Sequence, residues 1–203
     1  MQVSYAVVKV QVVVGDIIYK EAEVTLESLY RVLLPPVTPI ETGSTEEWQG
    51  IEKTIGIALP SDYKQYINIF GTGCIGSFLW LFNPFSRNKH LNLLRQIDIK
   101  IDALRILKEK WGDKQCPYPL YPEPEGLLPW GTTDNGDVLF WLTIGHPDEW
   151  LVVINEARAP IYEEYQESMT NFLSKILSGE LVSEVFPNDF PGEDKTFVSL
   201  SGG

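Results

Sequence analysis

The sequence predicts an α+β domain: a central antiparallel sheet with helices packed mainly on one face, preceded by an N-terminal β extension. Three observations carry this. Between residues 44 and 71 two short amphipathic helices follow one another, each with its own start and stop signals. From 127 to 165, short apolar runs are joined by turns, one of them built on Asn135-Gly136, the strongest short hairpin signal. Longer helical patterns at 90–111 and 168–178 lie outside that run of strands, so helices and strands are segregated along the chain rather than alternating.

At the N-terminus, Val3, Tyr5 and Val7, then Val8, Val10, Val12 and Val14, alternate with a slip of one residue that a β-bulge would absorb. After Gly15-Asp16 the chain from Ile17 to Leu29 sets Glu21, Glu23 and Glu27 against Ala22, Val24 and Leu26, the pattern of a second strand with one wet face. Residues 1–34 are therefore expected to form a β-hairpin extension. A hairpin alone is marginal in water, so it must pack on the main domain or on a second chain. Pro35, Pro36 and Pro39 make residues 35–44 a stiff, extended linker.

The next stretch, from Trp48 to Phe82, organises the rest. Ser44 with Glu47 three residues on forms a capping box, and Gly56 stops the helix that follows. Trp48, Ile51 and Ile55 give it one apolar stripe. A second helix starts after Leu59-Pro60 with Ser61 or Asp62 as cap, buries Tyr63, Tyr66, Ile67 and Phe70, and ends at Gly71. Residues 75–82 are apolar on both parities, as expected of a single strand covered on both faces.

His90 to Trp111 is the longest helix, with Leu91, Leu94, Ile97, Ile101 and Leu104 inward and Lys100, Arg105, Lys108 and Lys110 on a solvated basic side. Residues 112–126 interleave Pro117, Pro119, Pro122 and Pro124 with Tyr118 and Tyr121, which suits an ordered, extended surface loop; a proline-rich recognition motif is the alternative. Strands are expected at 127–130, 138–143, 151–155 and 161–165, and a last helix capped by Ser168 and closed by Gly179. The tail over 187–203 reads as weakly ordered.

The 203 residues carry a formal charge of −12, and its placement says more than its size. Residues 112–203 hold 16 acidic and 4 basic groups, whereas the 44 residues at the start and the middle segment nearly balance. This argues against nucleic-acid binding by that half and favours a basic partner. Solubility alone is the simpler account of the same charge. No apolar run reaches membrane-span length and the start lacks a basic leader, so a cytoplasmic location with no membrane partner is expected. Cys74 and Cys116 are too few for a disulfide framework.

Trp48, Ile51, Glu52, Gly56, Leu59, Pro60, Tyr63, Gly71 and Gly73 stand in this order along the chain, followed by Leu128-Pro129-Trp130-Gly131, Asn135-Gly136-Asp137 and a late Ile176-Leu177-Ser178-Gly179. In these residues the chain resembles the SMI1/KNR4, or SUKH, superfamily over residues 45–182, leaving 183–203 as a tail. The resemblance implies structural roles for Trp48, Glu52, Pro60, Tyr63, Gly71, Gly73, Trp130, Gly131, Gly136 and Asp137. Many bacterial members look like immunity proteins that neutralise toxins, often nucleases, and fungal members are linked to cell-wall regulation. No catalytic residues define the family, and no cofactor is implied.

Gly71-Thr72-Gly73-Cys74-Ile75-Gly76 satisfies the dinucleotide pattern G-x-G-x-x-G in an inverted context, with a helix before it and a strand after, so it reads as a helix stop and tight turn. His90 and His146 have no partner at a metal-ligand spacing, and no catalytic residue is indicated. Asp134, Asp137, Asp148 and Glu149 could meet at one end of the sheet; solvated or capping turn acids are the plainer reading. The expectation is a non-catalytic binding protein of immunity type acting on a basic toxin domain. Asp134, Asp137, Asp148, Glu149, Glu163 and Glu164 would face the partner, and Trp150 would anchor it. A regulatory scaffold or peptide-binding module of the same fold, and an enzyme with an unrecognised carboxylate site, are the alternatives.

Overall fold

The computed structural model describes residues 26–193 and 195–200. The hairpin expected at the N-terminus falls mostly outside the described residues. Its second strand was expected to reach Leu29, and there the chain is helical instead: Glu27–Tyr30 forms one turn, α1. Leu26, Leu29 and Leu33 recur at helical spacing and are all buried, so this segment belongs to the core.

α2 (Thr45–Ile55) starts as the capping box requires. The Ser44 hydroxyl accepts from the Glu47 amide, the Glu47 carboxylate accepts from the Ser44 amide, and Gly56 closes the helix at φ 86°. α3 (Ser61–Phe70) starts otherwise than expected, since Pro60 occupies the cap position and neither Ser61 nor Asp62 caps with its side chain. The Ser61 amide instead donates to Asp148 Oδ1 at 2.6 Å. Asp62 is buried and its Oδ2 accepts from both the amide and the hydroxyl of Thr170, each at 3.0 Å. Glu52 Oε1 accepts from the Leu59 amide at 2.9 Å and from the Lys64 ammonium at 2.7 Å, which locks the turn between α2 and α3.

The remaining elements are β1 (Gly73–Ile75), β2 (Leu79–Leu81), α4 (Leu93–Trp111), β3 (Leu127–Thr133), β4 (Val138–Leu142), β5 (Leu151–Asn155), β6 (Tyr162–Tyr165), α5 (Met169–Ser178) and β7 (Phe197–Ser199). They build one antiparallel sheet in the order β6-β5-β4-β3-β2-β1-β7. The single strand expected over 75–82 is thus two. Gly76 and Ser77, at φ 56° and 52°, turn the chain back so that Cys74 pairs with Trp80.

The tail also differs from expectation, because Phe197–Ser199 pairs along β1 and the Phe197 ring meets Phe70 at 5.3 Å. Gly73 makes room for it: a Cβ there would lie 2.3 Å from the Phe197 ring and 2.5 Å from the Val198 carbonyl. The core runs across the expected boundaries at 34 and 182. Leu29 and Leu33 before them and Phe186 after them join the same core as β3 and β4. Within 35–44, the Ile40 carbonyl accepts from the Thr72 amide at 3.2 Å and the Gly43 amide donates to Asn68 Oδ1 at 3.2 Å.

The sheet is covered on both faces. Trp141 meets Tyr63 of α3, and Trp130 meets Phe172 of α5, on one side. Val138, three residues from Trp141 and so on the other side, lines a groove with α4. Helices α3 and α5 share one face and α4 crosses the opposite one, which explains why every residue of β4 is buried. On the α4 side the loop of 112–126 is pinned as the tyrosines suggested: the Tyr121 hydroxyl bonds Ile55 O, and Lys108 Nζ donates to Tyr118 O at 2.9 Å.

Trp48 is 5% exposed, packs against Tyr63 and Phe85 at 5.8 and 4.8 Å, and donates its indole N–H to Asn68 Oδ1. Trp48→Ala is expected to cost about 3 to 5 kcal/mol through the cavity it leaves. Chemical denaturation checks this; a loss under about 1 kcal/mol would contradict the packing.

Burial alone would raise the Glu52 carboxyl, but the hydrogen bonds from Lys64 and Leu59 and the Lys64 charge outweigh it and hold the group below its ordinary value of 4.5. A carboxyl depressed by folding stabilises above its unfolded pKa and loses that contribution as pH falls through the folded one. Wild type is therefore expected to exceed Glu52→Gln in stability at neutral pH, with the gap closing in acid below the ordinary glutamate range. Urea denaturation of both proteins across that pH range measures it, and a gap independent of pH would contradict the assignment.

Candidate partner-binding surface

The acids expected to share one surface are distributed over three places. In the meander from β3 to β6, Asp134 and Asp137 sit in the β3–β4 turn at one end of the sheet. Asp148 and Glu149 sit between β4 and β5 at the other. The carboxylates expected to meet at one end are therefore a sheet length apart.

Two of the seven expected residues are core. Asp137 is 2% exposed; its Oδ2 accepts from the Thr133 hydroxyl at 2.7 Å and its Oδ1 from the Ala157 amide at 2.9 Å, joining the β3–β4 turn to the β5–β6 connection. Trp150 is buried with its ring 6.1 Å from that of Trp141, so it anchors the fold and not a partner. Asp148 is exposed but spent on the start of α3. Asp134 is exposed, and its Oδ1 accepts from Trp80 Nε1 at 2.6 Å.

Glu149 is exposed in the β4–β5 connection, which leaves Glu163 and Glu164 on the outermost strand of the sheet among the described residues. Successive strand residues point to opposite faces. Glu163 gathers the 183–184 segment, accepting from the Ser183 hydroxyl at 2.5 Å, the Glu184 amide at 2.7 Å and the Tyr165 hydroxyl at 2.6 Å. Glu164 is exposed on the α4 side and accepts from the Tyr118 hydroxyl at 3.3 Å, while the Tyr118 ring packs edge-on against Tyr162 at 5.3 Å. Exposed Glu184 adds a further charge beside Glu163.

The result is an acidic strip at the sheet edge set with Tyr118, Tyr162 and Tyr165. Burial first, and then Glu164 beside Tyr118 and Glu163 beside Tyr165, push these hydroxyls upward; at Tyr162 burial is followed by the Cys116 hydrogen bond. All three stay protonated donors at neutral pH. Tyr118, Tyr162, Tyr165 and Glu184 are the members that sequence reasoning missed. The tyrosines of the proline-rich loop were the visible signal for Tyr118, whereas nothing marks Glu184 out from its neighbours.

The other candidates resolve into structure. Gly71 follows α3 at φ 72°, where a Cβ would fall 2.1 Å from Ile40 O, so the glycine pattern is a helix stop against a close backbone. Cys74 is buried, and burial followed by the Asp134 charge pushes its thiol up to about 12, which removes it as a nucleophile. Of the basic helix face, Lys108 is tied to the 112–126 loop and Arg105 to Asp102. Among the described residues no group of three or more His, Cys, Asp or Glu is placed to hold a metal ion, and no helix is long and apolar enough to cross a membrane.

A family model described as SMI1-KNR4 cell-wall matches residues 45–173. The chain belongs to the SMI1/KNR4 (SUKH) family. No curated protein and no solved structure matches it. Of the residues that carry the resemblance, Trp48 and Tyr63 lie in the aromatic core, Glu52 in the turn between α2 and α3, Pro60 at the start of α3, and Gly131 beside the β3 bulge. Trp130 is fully buried, Gly136 turns at φ 91°, and Asp137 bonds across two turns. The SUKH family includes immunity proteins and is generally non-catalytic.

Because Asp148 supplies the acceptor that α3 lacks, Asp148→Ala is expected to cost about 1 kcal/mol, the usual worth of a helix cap. Glu149→Ala, one residue on, keeps the amide bond to His146 O and removes a carboxylate that makes no hydrogen bond among the described residues, so it should leave stability unchanged. Parallel urea melts decide it, and equal behaviour of the two variants would contradict the role of Asp148.

Proposed function

We propose that this SUKH protein is a non-catalytic binding protein of immunity type, which neutralises a basic toxin domain by covering its working surface. The observation that supports the reading is the acid-rich, tyrosine-set edge at β6, within a half of the chain that holds 16 acidic and 4 basic groups. Tyrosine in a polar rim is the composition of interface hot spots, and like-signed charge around it speeds encounter with a partner of opposite charge. A basic nuclease fits, because the groove that holds its substrate phosphates is what an acidic edge would fill. The family's generally non-catalytic character supports a role without chemistry. The cytoplasm is the compartment in which such a protein would meet its toxin.

The test pairs the protein with toxin domains encoded beside its gene. Co-expression should restore growth, and stopped-flow association should slow as salt rises, because screening beyond about 8 to 10 Å removes the steering. Glu164→Lys with Glu184→Lys, at exposed positions on the β6 edge, should cut the low-salt association rate by roughly tenfold or more. Glu149→Lys, in the β4–β5 connection and off the edge strand, should change it less. A salt-independent rate with the double variant binding normally would overturn the reading. Binding only to a partner that is not a toxin would favour a regulatory scaffold instead.

A further inference from the structure

On the face opposite the acidic-edge contacts of Glu163, between α4 and the turns that end β3 and β5, lies an open groove of about 420 Å³. This is within the roughly 300 to 1,000 Å³ usual for small-molecule sites. Its floor and walls are mostly apolar, formed by Ala103, Ile106, Leu107, Val138 and Ala157. Ile106 is 64% exposed there, an isoleucine held in water on the wall of a cavity.

Two cations also line it, and neither has an ion-pair partner among the described residues. Lys100 is half-buried; its ammonium lies 6.0 Å from the centroid of the Phe82 ring, and no carboxylate stands within ion-pair distance. Burial pushes this ammonium below its ordinary value, with no nearby charge to restore it. Arg158 stands on the β5–β6 connection, which is fixed beneath it by Asn155 Nδ2 donating to Ala159 O at 2.9 Å and Ile161 O at 3.0 Å. The one carboxylate on the groove, Asp134, is held at its lip by Trp80 Nε1.

We propose that this groove binds a small amphipathic anion, an aliphatic or aromatic body carrying a single carboxylate. The body covers Ile106, Leu107 and Val138, removing apolar surface from water. The carboxylate accepts from Lys100 and Arg158, giving each the counter-charge that the fold does not provide. A neutral ligand would leave the half-buried ammonium as it is, and a cation would be repelled by both groups. The site is independent of the β6 edge and of any protein partner.

Octanoate, 1-octanol and octylamine serve as probes of equal chain length, titrated into the isotope-labelled full chain and followed by NMR. Octanoate is expected to shift the amides of Lys100, Ala103, Val138 and Ala157 saturably, with a Kd roughly tenfold or more below that of octanol, as charge-assisted hydrogen bonds imply. Octylamine should bind more weakly than either. Lys100→Ala should remove the advantage of octanoate over octanol while leaving octanol binding unchanged. Ala103→Trp, which fills the groove from an exposed position, should block both. Absence of saturable shifts, equal affinity for octanoate and octanol, or an octanoate affinity untouched by Lys100→Ala in a folded protein would each overturn the proposal.

Discussion

Tyr63 stands between Trp48 and Trp141, at ring distances of 5.8 and 5.0 Å, and its hydroxyl donates to the Phe82 carbonyl at 2.6 Å. One side chain thereby joins α2, α3, the middle of the sheet and the strand end beyond β2. From Trp141 the ring contacts pass to Trp130 and Trp150, then from Trp130 to Phe172 and on to Tyr165 at the β6 edge. Large rings in edge and tilted contact are worth more than their area alone, and they set distances between elements that aliphatic side chains would leave adjustable. The frame reaches the acidic edge through Tyr165, whose hydroxyl donates to Glu163 Oε2 at 2.6 Å.

Local signals were legible in the sequence, and distant ones were not. The capping box at Ser44, the glycine stops at 56, 71 and 179 and the Asn135-Gly136 turn each act within a few residues, so their physics is written where they stand. Ser61 looked equally like a cap, but the acceptor it needed came from Asp148, whose approach depends on the whole sheet. The same long-range pairing made Asp137 and Glu163 internal scaffolding while Glu164 stayed in water. An acid in a turn reads alike whether a folded neighbour consumes it or solvent does.

The apolar stretch over 75–82 misled for a related reason. Burial on both faces is written in its composition, but so is the turn: Gly76-Ser77, both left-handed, is a short hairpin signal between two apolar runs, and the apolar residues on either side masked it. The candidate site was legible as a charge imbalance and not as a surface. Composition located the acids in the second half of the chain. Only the topology, with β6 outermost, sorts those that can meet a partner from those that hold the chain together.

The pairing of β7 along β1 also bears on how the protein is made. Among the described strands, residues 197–199 are synthesised last, so the side of β1 that they pair with is uncovered by them while β1 to β6 assemble behind the ribosome. During that interval an unpaired edge ending in Cys74 and Ile75 is a template for strands of other chains. β7 therefore acts as a seal applied after the strands it joins have been made. Truncation just short of Phe197 would be felt less as lost stability than as a change in solubility.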